Sequence, residues 1–235
     1  MTTIMIKQME EPMDRRMFVR QGLAMGAGMT AAAPRRRDGK IVILGVSCSP
    51  RKGKTTATSV KVALDAAKAV DPRIEVDLID LGGLEIGGWQ GGAKPTEAPA
   101  LNDDFNGLLS KFHDPALGGL IIGSPTYFRS MSALCKAFLE RLAPLRSPRL
   151  LLADKPVGAL SVGAYRNGGQ ELVIQEIQTV MLCHEVMAVG GKPSAHQGAT
   201  LWNAYNDDIL KDEFGIKSAQ LLGARVAEAA LKLDE

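Results

Sequence analysis

Cysteine is scarce in this chain: three among 235 residues, Cys48, Cys135 and Cys183, odd in number and far apart. That excludes a disulfide framework and a thiolate zinc site, both of which need cysteines at set spacings. Residues 1–40 hold eight Lys or Arg against four Asp or Glu, whereas the remainder holds 20 against 22. The body therefore lacks the basic excess that a nucleic-acid surface requires, and no nucleic-acid partner is expected. An apolar run long enough to span a bilayer as a helix is also missing, so no stable membrane span is expected. His113, His184 and His196 stand alone, without the spacing of metal ligands, and no metal is expected. What is present, 46% hydrophobic and 23% charged residues, is the make-up of a globular domain able to bury a full core.

Residues 1–40 read as a leader. Asp14-Arg15-Arg16-Met17-Phe18-Val19-Arg20 resembles the twin-arginine export signal, and the weakly apolar run from Gln21 to Thr30 ends in Ala31-Ala32-Ala33. Positive region, short apolar region and small-residue site follow the order of a cleaved signal. This implies a periplasmic protein. Arg35-Arg36-Arg37, just past the cleavage site, works against translocation, and a basic cytoplasmic tail is the alternative.

The body, residues 41–235, alternates strands and helices. Ile41 to Val46 is a run of apolar and glycine residues, as in a strand covered on both faces. Thr58 to Val70 carries a helical stripe of Val60, Ala63, Leu64 and Ala67, stopped by Asp71-Pro72. Ile74 to Leu78 alternates apolar and polar, which predicts an edge strand. Gly82 to Pro99 reads as a long loop, Leu101 to His113 as a polar helix and Gly119 to Gly123 as a buried strand. Ser132 to Ala143 is a helix with Met131, Leu134, Cys135, Phe138 and Leu142 on one face. Pro156 to Val162 is a fourth strand, followed by a helix with Val173, Ile177, Val180 and Met181 inward. Val186 to Val189 is expected as the fifth strand, and Lys217 to Leu233 as a helix striped by Leu222, Val226, Ala229 and Leu233. Alternation of this kind predicts a doubly wound α/β fold with a five-stranded parallel sheet. The loops 47–56, 124–129 and 163–170 each follow a strand, so they are expected to share one rim, where such sheets bind ligands.

The first of those loops offers Ser47, Ser49, Gly53, Thr55 and Thr56 among Arg51, Lys52 and Lys54, at the start of a helix. Helix-start amides and hydroxyls make an anion site. A Walker A loop would need glycine where Cys48 stands, ahead of Gly53-Lys54-Thr55. A dinucleotide fingerprint fails because Gly45 has no partners at G-x-G-x-x-G spacing. A cysteine phosphatase loop would need arginine at Lys54. There remains a phosphate that is held and not transferred, and FMN fits: its monophosphate at the first loop, its ring across the other two.

Three segments then carry a family resemblance: Gly45 to Thr55; Gly123 to Phe128 with Lys136-Ala137-Phe138; and Ala159 to Glu171. Together they resemble the NAD(P)H-dependent FMN reductase family of flavodoxin-like proteins, in particular its iron–sulfur flavoprotein branch. The resemblance implies a flavodoxin-like three-layer sandwich. It implies that Ser47, Ser49, Arg51, Lys54, Thr55 and Thr56 bind the FMN phosphate, with Lys54 in place of a small polar residue common in relatives. It further implies that Pro125, Thr126, Tyr127 and Phe128 pack the isoalloxazine edge and that Ser161, Gly163, Tyr165 and Gly168 close the other side. NAD(P)H is the implied electron donor, and a homodimer or homotetramer the implied assembly. The branch keeps a compact cysteine cluster in the loop after the second strand, but here Gly87-Gly88-Trp89-Gln90-Gly91-Gly92 has no cysteine, so no iron–sulfur cluster is expected. Trp89 is read either as a cover for a flavin or neighbouring subunit or as packed on its own surface, and the glycines around it as a plain flexible connection. Cys48 is read as a small residue filling a tight loop, and Cys135 and Cys183 as core.

Two functions follow from the resemblance: NAD(P)H-linked reduction of a small-molecule acceptor such as flavin or quinone, with no residue required as general acid or base, or electron transfer to a redox protein. A cofactor-free relative with a structural role is a third.

Overall fold

A computed structural model describes residues 39–91 and 102–234. The leader lies outside the described residues except for Gly39 and Lys40, and so does the second half of the loop expected to end at Pro99.

β1 (Ile41–Ser47) is buried along almost its whole length, because both of its faces are covered. Its alternate side chains divide between two cores. Ile41 and Ile43 join Val60, Leu64, Leu222 and Val226 on one side, while Leu44 and Val46 join Phe105, Phe138, Val173 and Ile177 on the other. The first core lies under α1 (Thr55–Lys68) and α5 (Glu213–Lys232). The second lies under the short α2 (Leu109–Phe112), α3 (Ala133–Arg141) and α4 (Gln170–Leu182). The result is helix, sheet, helix: a flavodoxin-like three-layer sandwich.

β2 (Ile74–Asp80) pairs parallel with β1 at the sheet edge, and β3 (Leu117–Tyr127) pairs parallel on the other side of β1. β4 (Ser130–Met131) turns back antiparallel on the end of β3. β5 (Pro156–Gly163) is next to β3, also parallel. The winding reverses between β1 and β3, so their carboxyl ends flank the crevice where doubly wound sheets bind ligands.

The fifth position differs from the expected strand Val186–Val189. It is shared by two short pieces, β6 (Met187–Ala188) beside the start of β5 and β7 (Ala199–Trp202) beside its end. The helix expected over Leu101–His113 is a 3-10 turn, Asp104–Leu108, running into α2, started by Asp103, whose side chain accepts from Phe105 N. Two stripe positions also differ. Cys183 is exposed, since it caps α4 where the chain leaves the core, and Leu233 is exposed just past the last turn of α5.

α1 and α5 touch along their backbones. A Cβ added at Gly223 would stand 1.8 Å from Ala63 O, so only glycine admits this approach. Gly223→Ala is expected to force the helices apart and cost about 3 kcal/mol, the size of an overpacked core, read by urea denaturation. His184, buried at the end of α4, has an Nδ1 without a partner, and its pKa is lowered to about 4 by burial, with Arg146 adding repulsion. The unfolded chain takes up this proton near pH 6.5 and the folded chain only near pH 4. Stability is therefore full above pH 6.5 and falls as pH drops toward 4, by about 3 kcal/mol for this group. Denaturation at pH 7 and pH 4.5 is expected to show the loss in the native chain and much less of it in His184→Gln.

Candidate functional site

The rim formed by the carboxyl ends of β1, β3, β5 and β7 carries the site. At the β1–α1 junction, Ser47 and Thr56 are buried, and neither Ser47 Oγ nor Thr56 Oγ1 has a hydrogen-bond partner. α1 starts without a side-chain cap and without an acidic residue in its first turn. Its leading amides have no carbonyl a turn earlier to reach, and they form the positive end of the helix. The uncapped amides and the two orphaned hydroxyls belong to the same strand-to-helix junction, the composition of an anion site. Ser49 is buried and accepts from Arg51 N at 3.2 Å; Thr55 is buried, whereas Arg51 and Lys54 are exposed. Asp80, at the end of β2, sets the loop by accepting from Gly53 N at 2.7 Å and Gly82 N at 3.1 Å. Gly82 lies so close to Lys52 that a Cβ there would stand 2.3 Å from its Cα.

Arg51 Nη1 contacts both carboxylate oxygens of Asp207, at 3.0 and 2.8 Å, and Asn203 Nδ2 donates to the same carboxylate at 2.8 Å. The Asn203 amide, followed by Arg51, holds the Asp207 carboxyl below the usual carboxylate range.

Hydroxyls tie the strand ends together. Ser161 Oγ donates to Ser124 O at 3.0 Å; its single proton being spent, it accepts from Thr126 Oγ1 at 2.8 Å. Ser132 Oγ donates to Cys48 O at 2.7 Å and accepts from Cys135 N at 3.0 Å, capping α3. Pro125 is buried, Tyr127 is 41% exposed and Phe128 fully so. Phe128 (φ 49°) and Arg129 (φ 67°) are both left-handed, a strained pair without glycine. Glu176 holds that turn from α4, accepting from Ser130 Oγ at 3.0 Å and Met131 N at 2.9 Å.

The loop after β5 is organised by Gln170. Its Nε2 donates to Tyr165 O at 2.6 Å and Leu201 O at 3.2 Å, and its Oε1 accepts from Gly168 N at 2.8 Å. Gly163 is needed beneath it, since a Cβ there would meet Gln170 Nε2 at 2.5 Å. Tyr165 stands 76% exposed. Arg166 is committed to the buried Asp212 carboxylate and lies between the rings of Trp202 and Phe214, 5.2 and 5.6 Å from their centroids.

The described start of the loop after β2, through Trp89, is pinned and not a free connection. Gly87 N donates to Asp103 Oδ2 at 3.0 Å, Arg141 Nη1 donates to Gly87 O at 3.3 Å, and Trp89 N donates to Glu140 Oε2 at 3.0 Å. Asp103 and Arg141 form an almost fully buried ion pair. Burial raises the Asp103 carboxyl, but Arg141 and the amides of Gly87 and Phe105 outweigh it and hold it low. Trp89 itself is half-buried. Cys48 and Cys135 lie in the core, and burial, with Cys135 beside it, pushes the Cys48 thiol well up, so it is no nucleophile. No group of three His, Cys, Asp or Glu that could hold a metal occurs among the described residues.

The residues expected at the site thus fall on the strand ends, the loops and the helix start of one rim, with three qualifications. β3 runs past the expected Gly123, so Pro125, Thr126 and Tyr127 lie in the strand and not in a loop. Ser161, in β5, is spent on internal bonds, and Arg51 shares its guanidinium with Asp207. Sequence reasoning missed Asp80, Asn203, Gln170, Glu176 and Asp207. Only Asp80, closing an edge strand just before Gly82-Gly83, had a local signal.

Residues 41–200 match the family model described as NADPH-dependent FMN reductase. An iron–sulfur flavoprotein of Methanocaldococcus jannaschii is 36% identical over 190 residues, covering 79% of this chain and 95% of the relative. An NAD(P)H dehydrogenase (quinone) of Archaeoglobus fulgidus is 30% identical over 117 residues, covering 48% and 60%. Among solved structures, a flavone reductase superposes with a TM-score of 0.62 at 20% identity over 83% of this chain and 65% of that one, a likeness of fold.

Thr56→Val keeps the shape of Thr56 and removes a buried hydroxyl that nothing satisfies. It is expected to raise the ligand-free stability by about 1 kcal/mol in urea denaturation, the gain from deleting an unmet polar group.

Proposed function

Since the chain belongs to the NADPH-dependent FMN reductase family and is an oxidoreductase of that type, we propose that it binds FMN along this rim and uses NAD(P)H to reduce a small planar acceptor, a quinone or a flavin. The observation that carries the reading is the pair of buried, unpartnered hydroxyls at an uncapped helix start, Ser47 and Thr56. A phosphate monoester supplies the acceptors that these hydroxyls and the leading amides of α1 lack. Ser49 and Thr55 line the same junction, with Lys54 and the free edge of Arg51 adding positive charge. Pro125, Thr126, Tyr127 and Phe128 on one side, and Gly163, Tyr165 and Gly168 on the other, are the residues that would border the ring. Ser161 acts indirectly, by fixing Thr126. FMN held there would supply the redox chemistry, a two-electron exchange between the nicotinamide and the acceptor. The chain's own task is to hold the phosphate, keep water from one ring face and set the hydrogen bonds at the ring edge.

We further propose that no iron–sulfur cluster is present, although relatives are named for one. Such clusters are held by cysteine thiolates, and of the three cysteines here two are packed in the core. In this reading the Asp103–Arg141 pair holds the loop that a cluster would otherwise organise. The assembly is proposed as a homodimer or homotetramer. Among the described residues no helix is long and apolar enough to cross a membrane.

A second reading is electron transfer to a protein partner after twin-arginine export to the periplasm. The leader motif at Arg15-Arg16 and the solvent-exposed Phe128 and Tyr165 at the rim favour it. The visible spectrum and an iron assay of the purified protein, followed by anaerobic NADPH or NADH, separate the readings. Yellow, iron-free protein that bleaches with either nucleotide is the expected result. Yellow protein inert to both supports the partner-protein reading. Colourless protein that takes up no FMN overturns both.

A further inference from the structure

We propose, building on the FMN reading above, that Asp207 is a positioning residue of the phosphate site: with Asn203 it holds the Arg51 guanidinium as a clasp that slows escape of the bound monophosphate. The clasp joins residues 156 positions apart, from the β1–α1 loop to the loop after β7. Both contacts to Asp207 run from Nη1 alone. A guanidinium offers five N–H donors in a planar fork, and a fork-to-fork pair with a carboxylate would consume two nitrogens. Here Nε and Nη2 bond to nothing among the described residues, so Arg51 keeps one edge for a second anion while Asp207 fixes the other. A carboxylate that blocked the site would take the whole fork.

The Asp207 side is built for this reach. Asn206 and Asp207 are consecutive left-handed residues (φ 48° and 67°), a conformation that Asn and Asp tolerate better than most. Asn203 fastens the turn to the neighbouring strand through its own amide, which donates to Gly163 O at 2.9 Å, and to Asp207 through Nδ2. The remaining amide oxygen, Asn203 Oδ1, is buried without a partner. The Arg51–Asp207 pair is half wet, at 47% and 30% side-chain exposure, so its effect is that of a surface contact and sensitive to salt.

The test uses the full chain loaded with FMN or, separately, with riboflavin, which lacks the phosphate. Release on dilution is followed by the recovery of flavin fluorescence in the native protein, Asp207→Ala and the near-isosteric Asp207→Asn. Asp207→Ala is expected to release FMN about fivefold faster and riboflavin at the native rate, as for loss of one exposed charged contact. Asp207→Asn is expected to lie between, and salt near about 1 M to shrink the difference. Equal or slower FMN release in both variants overturns the clasp, as does an equal acceleration of riboflavin, which marks a merely structural loop. A native protein that holds riboflavin as firmly as FMN, or neither, overturns the phosphate reading and the clasp together.

Discussion

The constraint on which the rest depends is the polar junction between β1 and α1, set at the end of a strand that is otherwise wholly apolar. A strand covered on both faces can carry polar groups only where it leaves the sheet, and there the chain places Ser47, Ser49, Thr55 and Thr56, all buried. Two of these hydroxyls go unmet. Each such group costs about 1–3 kcal/mol when it lacks a partner, against a net stability of only about 5–15 kcal/mol for an ordinary domain. A fold that keeps them accepts a local loss, which under the proposed function a bound phosphate would restore. The two cores on either side of the sheet supply the stability that makes this tolerable.

Strain is placed on the same rim. Phe128 and Arg129 after β3, and Asn206 and Asp207 after β7, are left-handed without being glycine. Each pair is over-determined from outside: Glu176 grips the hydroxyl and amide that follow Arg129, and Arg51 and Asn203 grip Asp207. Backbone in such conformations persists only where its surroundings enforce it. That Glu176 comes from α4 and Arg51 from the β1–α1 loop shows how far the rim is built by contacts distant in sequence.

This distance marks what the sequence could reveal. β1, α1, β3 and α3 were legible because a long apolar run or a helical stripe is a local pattern, and Ser132 is a recognisable helix cap. The split fifth strand was not: Met187–Ala188 is too short to have a period, and Ala199–Trp202 forms only because β5 offers it an open edge. Cys183 shows the limit of a stripe, which says which side of a helix faces the core but not where the helix ends. Gln170 and Asp207 act through loop carbonyls and a guanidinium whose positions exist only once the sheet has closed.

The described part of the loop after β2 is held by charge and amide contacts. Residues 87–89 are held by a buried Asp103–Arg141 pair and by Glu140, with Arg141 lying 4.7 Å from the centroid of the Phe105 ring. Taking two charges out of water is costly and is offset only when every remaining donor and acceptor is used. Here Gly87 supplies both an amide and a carbonyl to the pair. An ion pair of this kind ties the loop to α3 but has no accessible redox state. Under the proposed function, electrons then enter and leave by the open side of the rim, past Phe128 and Tyr165, and not through the body of the chain. The acceptor is accordingly selected by what can reach that side: a planar small molecule sliding against the ring, or a protein surface that covers two exposed aromatic side chains.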